Sequence, residues 1–210
     1  MYIYKKFQNM FHSINWDPSI GIDLGFLTIR YYSLMFLIAF GSGWYITKKM
    51  YEREGLSEKK LDSLFAYVVI GTLLGARLGH VIFYQAELFV DDPLSILLPF
   101  RFVPEFEFTG FQGLASHGAT IGIFIMAYLY SKKVLEKHVF WILDRIVVPV
   151  SFGAIFVRIG NFLNSEIIGK PTGSDYGVLF VQLGEDFARH PAQLYEAACY
   201  ALLFVLLYLL

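Results

Sequence analysis

Long apolar stretches alternate with short polar ones along this chain. Five stretches stand out, at about residues 28–46, 61–84, 113–130, 139–156 and 191–210. Each approaches the roughly 20 residues that a helix needs to cross a hydrocarbon core about 30 Å thick. Lipid offers the backbone no hydrogen-bond partners, so such stretches close their own bonds as helices. The pattern predicts an all-α fold, a polytopic integral membrane helix bundle of about five spans, in one transmembrane domain over residues 1–210. Residues 1–25 are rich in aromatics and predict an interfacial N-terminal segment. Residues 86–111 mix Asp91-Asp92-Pro93 with apolar and aromatic side chains and predict an interfacial arm or a short amphipathic helix. The chain contains no soluble domain, repeat array or low-complexity tract.

Composition agrees with a membrane chain. Hydrophobic residues make up 56% and mean hydropathy is +0.53, against roughly 45–50% apolar including glycine in soluble domains. A net charge of −1 gives no bulk field that favours nucleic acid, so no nucleic-acid partner is expected. The single cysteine, Cys199, excludes an internal disulfide and any cysteine-based metal cluster. Inside the last apolar stretch it reads as a buried, inert thiol. The first apolar stretch is too deep and too long for a cleavable signal peptide.

Lysine and arginine set the orientation. Lys48, Lys49, Arg53, Lys59 and Lys60 follow the first stretch, and Lys132, Lys133 and Lys137 follow the third. The other two loops hold only Arg101, Lys170 and Arg189. The positive-inside rule places the first pair of loops in the cytoplasm and the N-terminus outside. Arg77 and His80, His117, Arg158 with Asn161 and Glu166, and Arg189 with Gln193, Tyr195 and Glu196 then share one level near the outer face. Asp144-Arg145 alone lies at the inner side, where the two predict a structural pair. An arginine at bilayer depth costs roughly 2.5–3.5 kcal/mol on insertion scales, so a cluster of them calls for partners or a task.

The motifs Gly-Ala-Arg77-Leu-Gly, Gly113-Leu-Ala-Ser-His117-Gly, Arg158-Ile-Gly-Asn-Phe-Leu-Asn-Ser-Glu-Ile-Ile-Gly169 and Arg189-His-Pro-Ala-Gln-Leu-Tyr-Glu196 occur in this order. In this the chain resembles the prolipoprotein diacylglyceryl transferases over about residues 30–196. The resemblance implies a multi-pass enzyme of the bacterial cytoplasmic (inner) membrane, with its active site toward the outer leaflet. It implies transfer of diacylglyceryl from phosphatidylglycerol to the thiol of the lipobox cysteine of a preprolipoprotein. Glycerol 1-phosphate is released, and neither a metal nor an organic cofactor is used. It also implies a site made of His117, Arg158 and Arg189 as catalytic residues. Tyr32, Arg77, Asn161, Asn164, Glu166, Gly169, Gln193, Tyr195 and Glu196 would bind substrate.

The residue types suit that chemistry. With a pKa of about 8.5 only a few per cent of a free thiol is thiolate near neutrality. A neutral imidazole at His117 can accept the proton. The leaving phosphate gains charge as the carbon–oxygen bond breaks, and arginine forks match phosphate oxygens. Asn161, Gln193 and Tyr195 add neutral hydrogen bonds, and Glu166 can orient an arginine or the histidine. Duller readings stand beside these. Arg77 can pair with a carboxylate, His117 can be a packing histidine, and Arg158 and Glu166 can form a structural ion pair. Arg189 can snorkel to the interface, and Tyr31, Tyr32 and Tyr195 can belong to an aromatic belt. His80 is a possible supporting residue. Gly71, Gly75 and Gly79 line one helix face and predict close packing, as do Gly118, Gly122, Gly153 and Gly160. Gly160 is also placed to loosen the end of the fourth span.

Ala119 stands where the family usually has a second glycine, and the outer segment 170–188 is short. The chain also stops at Leu210 where the family continues through two further helices, which implies a C-terminus truncated relative to it. A transporter or a non-catalytic scaffold is the alternative reading of intramembrane charge. The chain lacks the related halves expected of many transporters.

Overall fold

A computed structural model describes residues 13–25, 28–109 and 113–210. Residues 1–12 of the expected N-terminal segment and 110–111 of the expected arm lie outside the described residues. Five long helices occupy the apolar stretches: α1 (Tyr31–Arg53), α2 (Glu58–Tyr84), α3 (Ser116–Tyr130), α4 (Val139–Leu163) and α5 (Ala192–Leu209). Of these, α2, α4 and α5 are long and apolar enough to cross a membrane. Their outward faces are apolar. Leu73 and Ile82 on α2 and Leu202 and Leu206 on α5 are each more than half exposed. In water that pattern would be a liability, and against acyl chains it is the expected surface.

The chain divides into two compact units, residues 47–145 and residues 1–46 with 146–210. In the first, α2 and α3 pack through glycine. A Cβ on Gly75 would lie 2.4 Å from the Gly118 carbonyl oxygen, and one on Gly79 would lie 2.6 Å from Gly118 Cα. A Cβ on Gly71 would meet the Gly122 carbonyl at 2.8 Å. Partner numbers run in opposite directions, so the helices are antiparallel and backbone touches backbone, as the glycine spacing predicts. The expected arm contains one helical turn (Leu88–Asp91) and a 3-10 turn (Pro93–Ile96). A two-stranded hairpin, β4 (Phe100–Arg101) with β5 (Glu107–Phe108), follows, preceding α3. Its Phe100, Phe102, Phe106 and Phe108 rings contact one another. At the other end of this unit Tyr51 and Tyr130 share a buried hydrogen bond of 3.1 Å.

In the second unit α1 and α4 run antiparallel. Ala39 lies against Gly153, and the Tyr32 ring covers Gly160. Helix α4 continues through Pro149 to Leu163 and carries Arg158 and Asn161 within it, where the sequence put them just after the span. Gly160 therefore makes room for a ring and does not end the helix. Short strands hold the loop beyond α4. β1 (Ile14–Trp16) pairs in parallel with β6 (Val178–Phe180). The antiparallel pair β2 (Gly21–Asp23) and β3 (Thr28–Arg30) leads into α1. Trp16 donates its indole N–H to the Phe162 carbonyl at 2.9 Å and packs on the Phe162 ring.

Two expectations are overturned. Cys199 is exposed, because it sits well round α5 from the buried Gln193 and Ala197. Arg145 pairs with Glu54 at 2.8 Å, and its guanidinium stacks 3.7 Å from the Trp141 ring centre. Adjacent helix residues point about 100° apart, so Asp144 is badly placed to serve it.

Candidate functional site

The polar groups of the second unit assemble where α4 ends and α5 begins. Arg158 and Asn161 are one helical turn apart on α4, so they share a face. Arg158 Nε lies 2.6 Å from the Glu196 carboxylate on α5, and its Nη1 donates to Asn161 Oδ1 at 3.4 Å. Arg158 Nη2 has no hydrogen-bond partner among the described residues. The ion pair is therefore with Glu196 and not with Glu166. Asn161 is buried, and its Nδ2 donates to Glu166 Oε2 at 3.4 Å. Asn164 donates to the other Glu166 oxygen at 3.2 Å. Tyr32 on α1 turns its phenol toward Asn161.

The turn after α4 is unusual. Ser165 (φ 54°) and Ile167 (φ 53°) both adopt the left-handed conformation, on either side of Glu166. For a β-branched residue such as Ile167 that conformation is an outlier. Such geometry costs about 1–3 kcal/mol per residue and persists where the surroundings over-determine it. Here the Glu166 N–H donates to the Asn161 carbonyl at 2.8 Å, and the fully buried Gln193 donates Nε2 to the Glu166 carbonyl at 2.6 Å. Gln193 Oε1 is enclosed without a hydrogen-bond partner among the described residues.

Beyond the turn, Gly169 lies against the 188–190 segment. Its N–H donates to the His190 carbonyl at 3.1 Å, and a Cβ there would come 2.3 Å from that oxygen. The Arg189 backbone pairs with Val178 on its other side. The Arg189 side chain gives Nε and Nη2 to the two oxygens of Glu185, at 2.5 and 2.6 Å, and Nη1 to the Gly169 carbonyl at 3.1 Å. The hydrogen bond from Arg189 holds the Glu185 carboxyl below its ordinary range, and the same bond raises the Arg189 guanidinium. Tyr195 bonds through its hydroxyl to Tyr176 (3.0 Å) and to His190 Nδ1 (3.3 Å) at the exposed rim.

Arg77 and His117 belong to the other unit. The Arg77 guanidinium donates to the carbonyls of Ser95 at 2.8 Å and Ile96 at 3.0 Å, and more distantly to Gly113 at 3.5 Å. It thereby fastens the arm to the start of the α3 loop through backbone carbonyls. His117, in the first turn of α3, is exposed and has the Phe83 and Tyr84 rings beside it at 4.9 and 6.0 Å between centres. His80 packs on Gly113, whose φ of 70° also favours glycine. The sequence did not point to Glu185. It lies in a Gly-Glu-Asp loop with no apolar period, and only its position four residues before Arg189 hinted at a partner.

A family model described as prolipoprotein diacylglyceryl transferase matches residues 19–210. Similar curated proteins carry the name phosphatidylglycerol–prolipoprotein diacylglyceryl transferase. The protein of Tolumonas auensis is 38% identical over 196 residues, covering 93% of this chain and 71% of its own length. That of Bacteroides fragilis is 38% identical over 202 residues, covering 95% and 72%. That of Porphyromonas gingivalis is 40% identical over 203 residues, covering 92% and 68%.

Proposed function

This chain belongs to the prolipoprotein diacylglyceryl transferase family, and from that premise we propose its reaction and the residues that carry it. It is a membrane transferase that moves diacylglyceryl from phosphatidylglycerol to a prolipoprotein. In the reading proposed here, the acceptor is the lipobox cysteine. Its sulfur attacks the glyceryl carbon, a carbon–sulfur bond forms, and the carbon–oxygen bond to phosphate breaks. The phosphate leaves with the electron pair as glycerol 1-phosphate, and His117 accepts the thiol proton. The site works at the outer leaflet of the inner membrane.

The observation that carries the assignment of roles is the state of the two arginines. Arg158 is held at Nε by Glu196 and at Nη1 by Asn161, with Nη2 uncommitted among the described residues. A cation fixed in this way meets developing charge with little reorganisation. Arg189 has given its Nε–Nη2 edge to Glu185. The phosphate role therefore goes to Arg158, and Arg189 serves by holding the neighbouring loop. Asn161, Asn164, Glu166, Gln193, Glu196 and Tyr32 keep Arg158 and its turn in place. Gly169 permits the close backbone approach, Tyr195 lies at the rim, and Arg77 fixes the arm beside the His117 loop. The transporter and scaffold alternatives gain nothing from these relatives, which are named for a transfer reaction.

Complementation tests the function. In a cell whose own transferase can be shut off, the protein is expected to restore maturation of preprolipoproteins. Accumulation of unmodified precursor, with the protein shown by immunoblot to be in the membrane, would contradict the assignment.

A further inference from the structure

We propose that Glu185 is a positioning residue for this transfer: through Arg189 and Gly169 it fixes the turn that carries Glu166, and with it the groups around Arg158. The inference rests on the transferase reading given above.

The connection is a chain of contacts within one unit. Glu185 follows Gly184, whose left-handed backbone (φ 68°) ends a 3-10 turn. Both its oxygens engage Arg189, one at Nε and one at Nη2. A two-point grip fixes the plane of the guanidinium, where a single contact would leave it free to swing. The Phe187 ring, 4.8 Å from the Arg189 Cζ, supports the same placement. With that plane fixed, Nη1 is aimed at the Gly169 carbonyl. Gly169 is thus held on both sides, by its N–H on His190 and by its carbonyl on Arg189.

The turn between Asn164 and Gly169 needs such an anchor. Ser165 and Ile167 are both left-handed, so the turn tends to relax unless its two ends are held. Asn161 and Gln193 hold the near end through the Glu166 backbone. The Glu185–Arg189–Gly169 clasp holds the far end. If the far end slips, the Glu166 carboxylate loses its register with Asn161 and Asn164, and Asn161 is the group bonded to Arg158 Nη1.

The test is transfer kinetics in lipid nanodiscs, using phosphatidylglycerol and a synthetic lipobox peptide. Proteins compared are the wild type, Glu185→Gln, Glu185→Asp, Arg189→Gln and the double variant Glu185→Gln/Arg189→Gln. Expected is a fall in kcat of about tenfold for Glu185→Gln, with the KM for phosphatidylglycerol within about twofold, partial recovery in Glu185→Asp, and a double variant no slower than Arg189→Gln. General loss of folded protein would not reproduce that non-additive pattern. An unchanged kcat in Glu185→Gln, or penalties that multiply in the double variant, would overturn the proposal. So would a lowered KM, since the carboxylate would then be competing with the lipid phosphate. Hydrogen exchange provides a readout independent of turnover. The Gly169 amide is expected to exchange faster in Glu185→Gln, and equal exchange overturns the clasp. A wild type that transfers nothing while the exchange difference appears would place the fault in the transferase reading and not in the clasp.

Discussion

Arg158 and Arg189 are the same residue type in the same unit, yet their surroundings give them different work. Arg158 Nε forms a close ion pair with Glu196, and Arg189 is gripped by hydrogen bonds from two nitrogens to Glu185. Replacement of Arg158 by lysine keeps the charge and removes the planar fork. We expect Arg158→Lys to lower kcat/KM by about ten- to a hundredfold, because an ammonium cannot keep the contacts with Glu196 and Asn161 while presenting an oriented Nη2 donor to the phosphate. Full activity would contradict the phosphate role. Glu185 titrates in a predictable direction. Its folded pKa lies below the unfolded value of about 4.3, because Arg189 hydrogen-bonds the ionised form. Its contribution is therefore complete above that value and is lost as pH falls through the lower, folded value. Hydrogen exchange at Gly169 should stay slow as pH drops to about 4.3 and rise below it, after correction for intrinsic rates. In Glu185→Gln that acid-dependent step should be absent.

Helices were the legible part of the sequence, for a physical reason. Lipid demands long apolar runs, and α2 and α5 end within a few residues of where those runs end. α4 overran its run, since Arg158 and Asn161 find partners on α5 and in the turn, which lets the helix continue. The parallel β1–β6 pair left no trace in the sequence, because three-residue strands 164 positions apart carry no usable period. The Arg145–Glu54 and Glu185–Arg189 pairs were hidden as well, since each joins a charge to a loop or helix end that patterning does not place. The glycine face was readable, because a four-residue spacing is a helical face. It also yields a test. Gly75→Leu should force α2 from α3, lowering stability by at least the 1–3 kcal/mol typical of overpacking. Gly41→Ala, with nothing within 4 Å of the new Cβ, should leave the melting temperature unchanged or slightly raised. Equal melting of Gly75→Leu and wild type in detergent would contradict the backbone contact.

For the whole molecule, orientation and reaction are linked. If the lysine-rich loops face the cytoplasm, the 170–188 loop and the Arg158 cluster face out, toward exported precursors. In a Cys199→Ala background, Ser174→Cys should react with an impermeant maleimide added to intact spheroplasts, and Lys133→Cys should react only after lysis. The reverse pattern would invert the proposed topology. Reconstitution with purified components reads the transfer reaction itself. Protein in phosphatidylglycerol nanodiscs, supplied with a lipobox peptide, should yield peptide heavier by one diacylglyceryl group, with glycerol 1-phosphate released in equal amount. His117→Gln should slow that yield by about 10²–10⁴. Peptide that stays unmodified with wild-type protein, or product formed at the same rate by His117→Gln, would contradict the account.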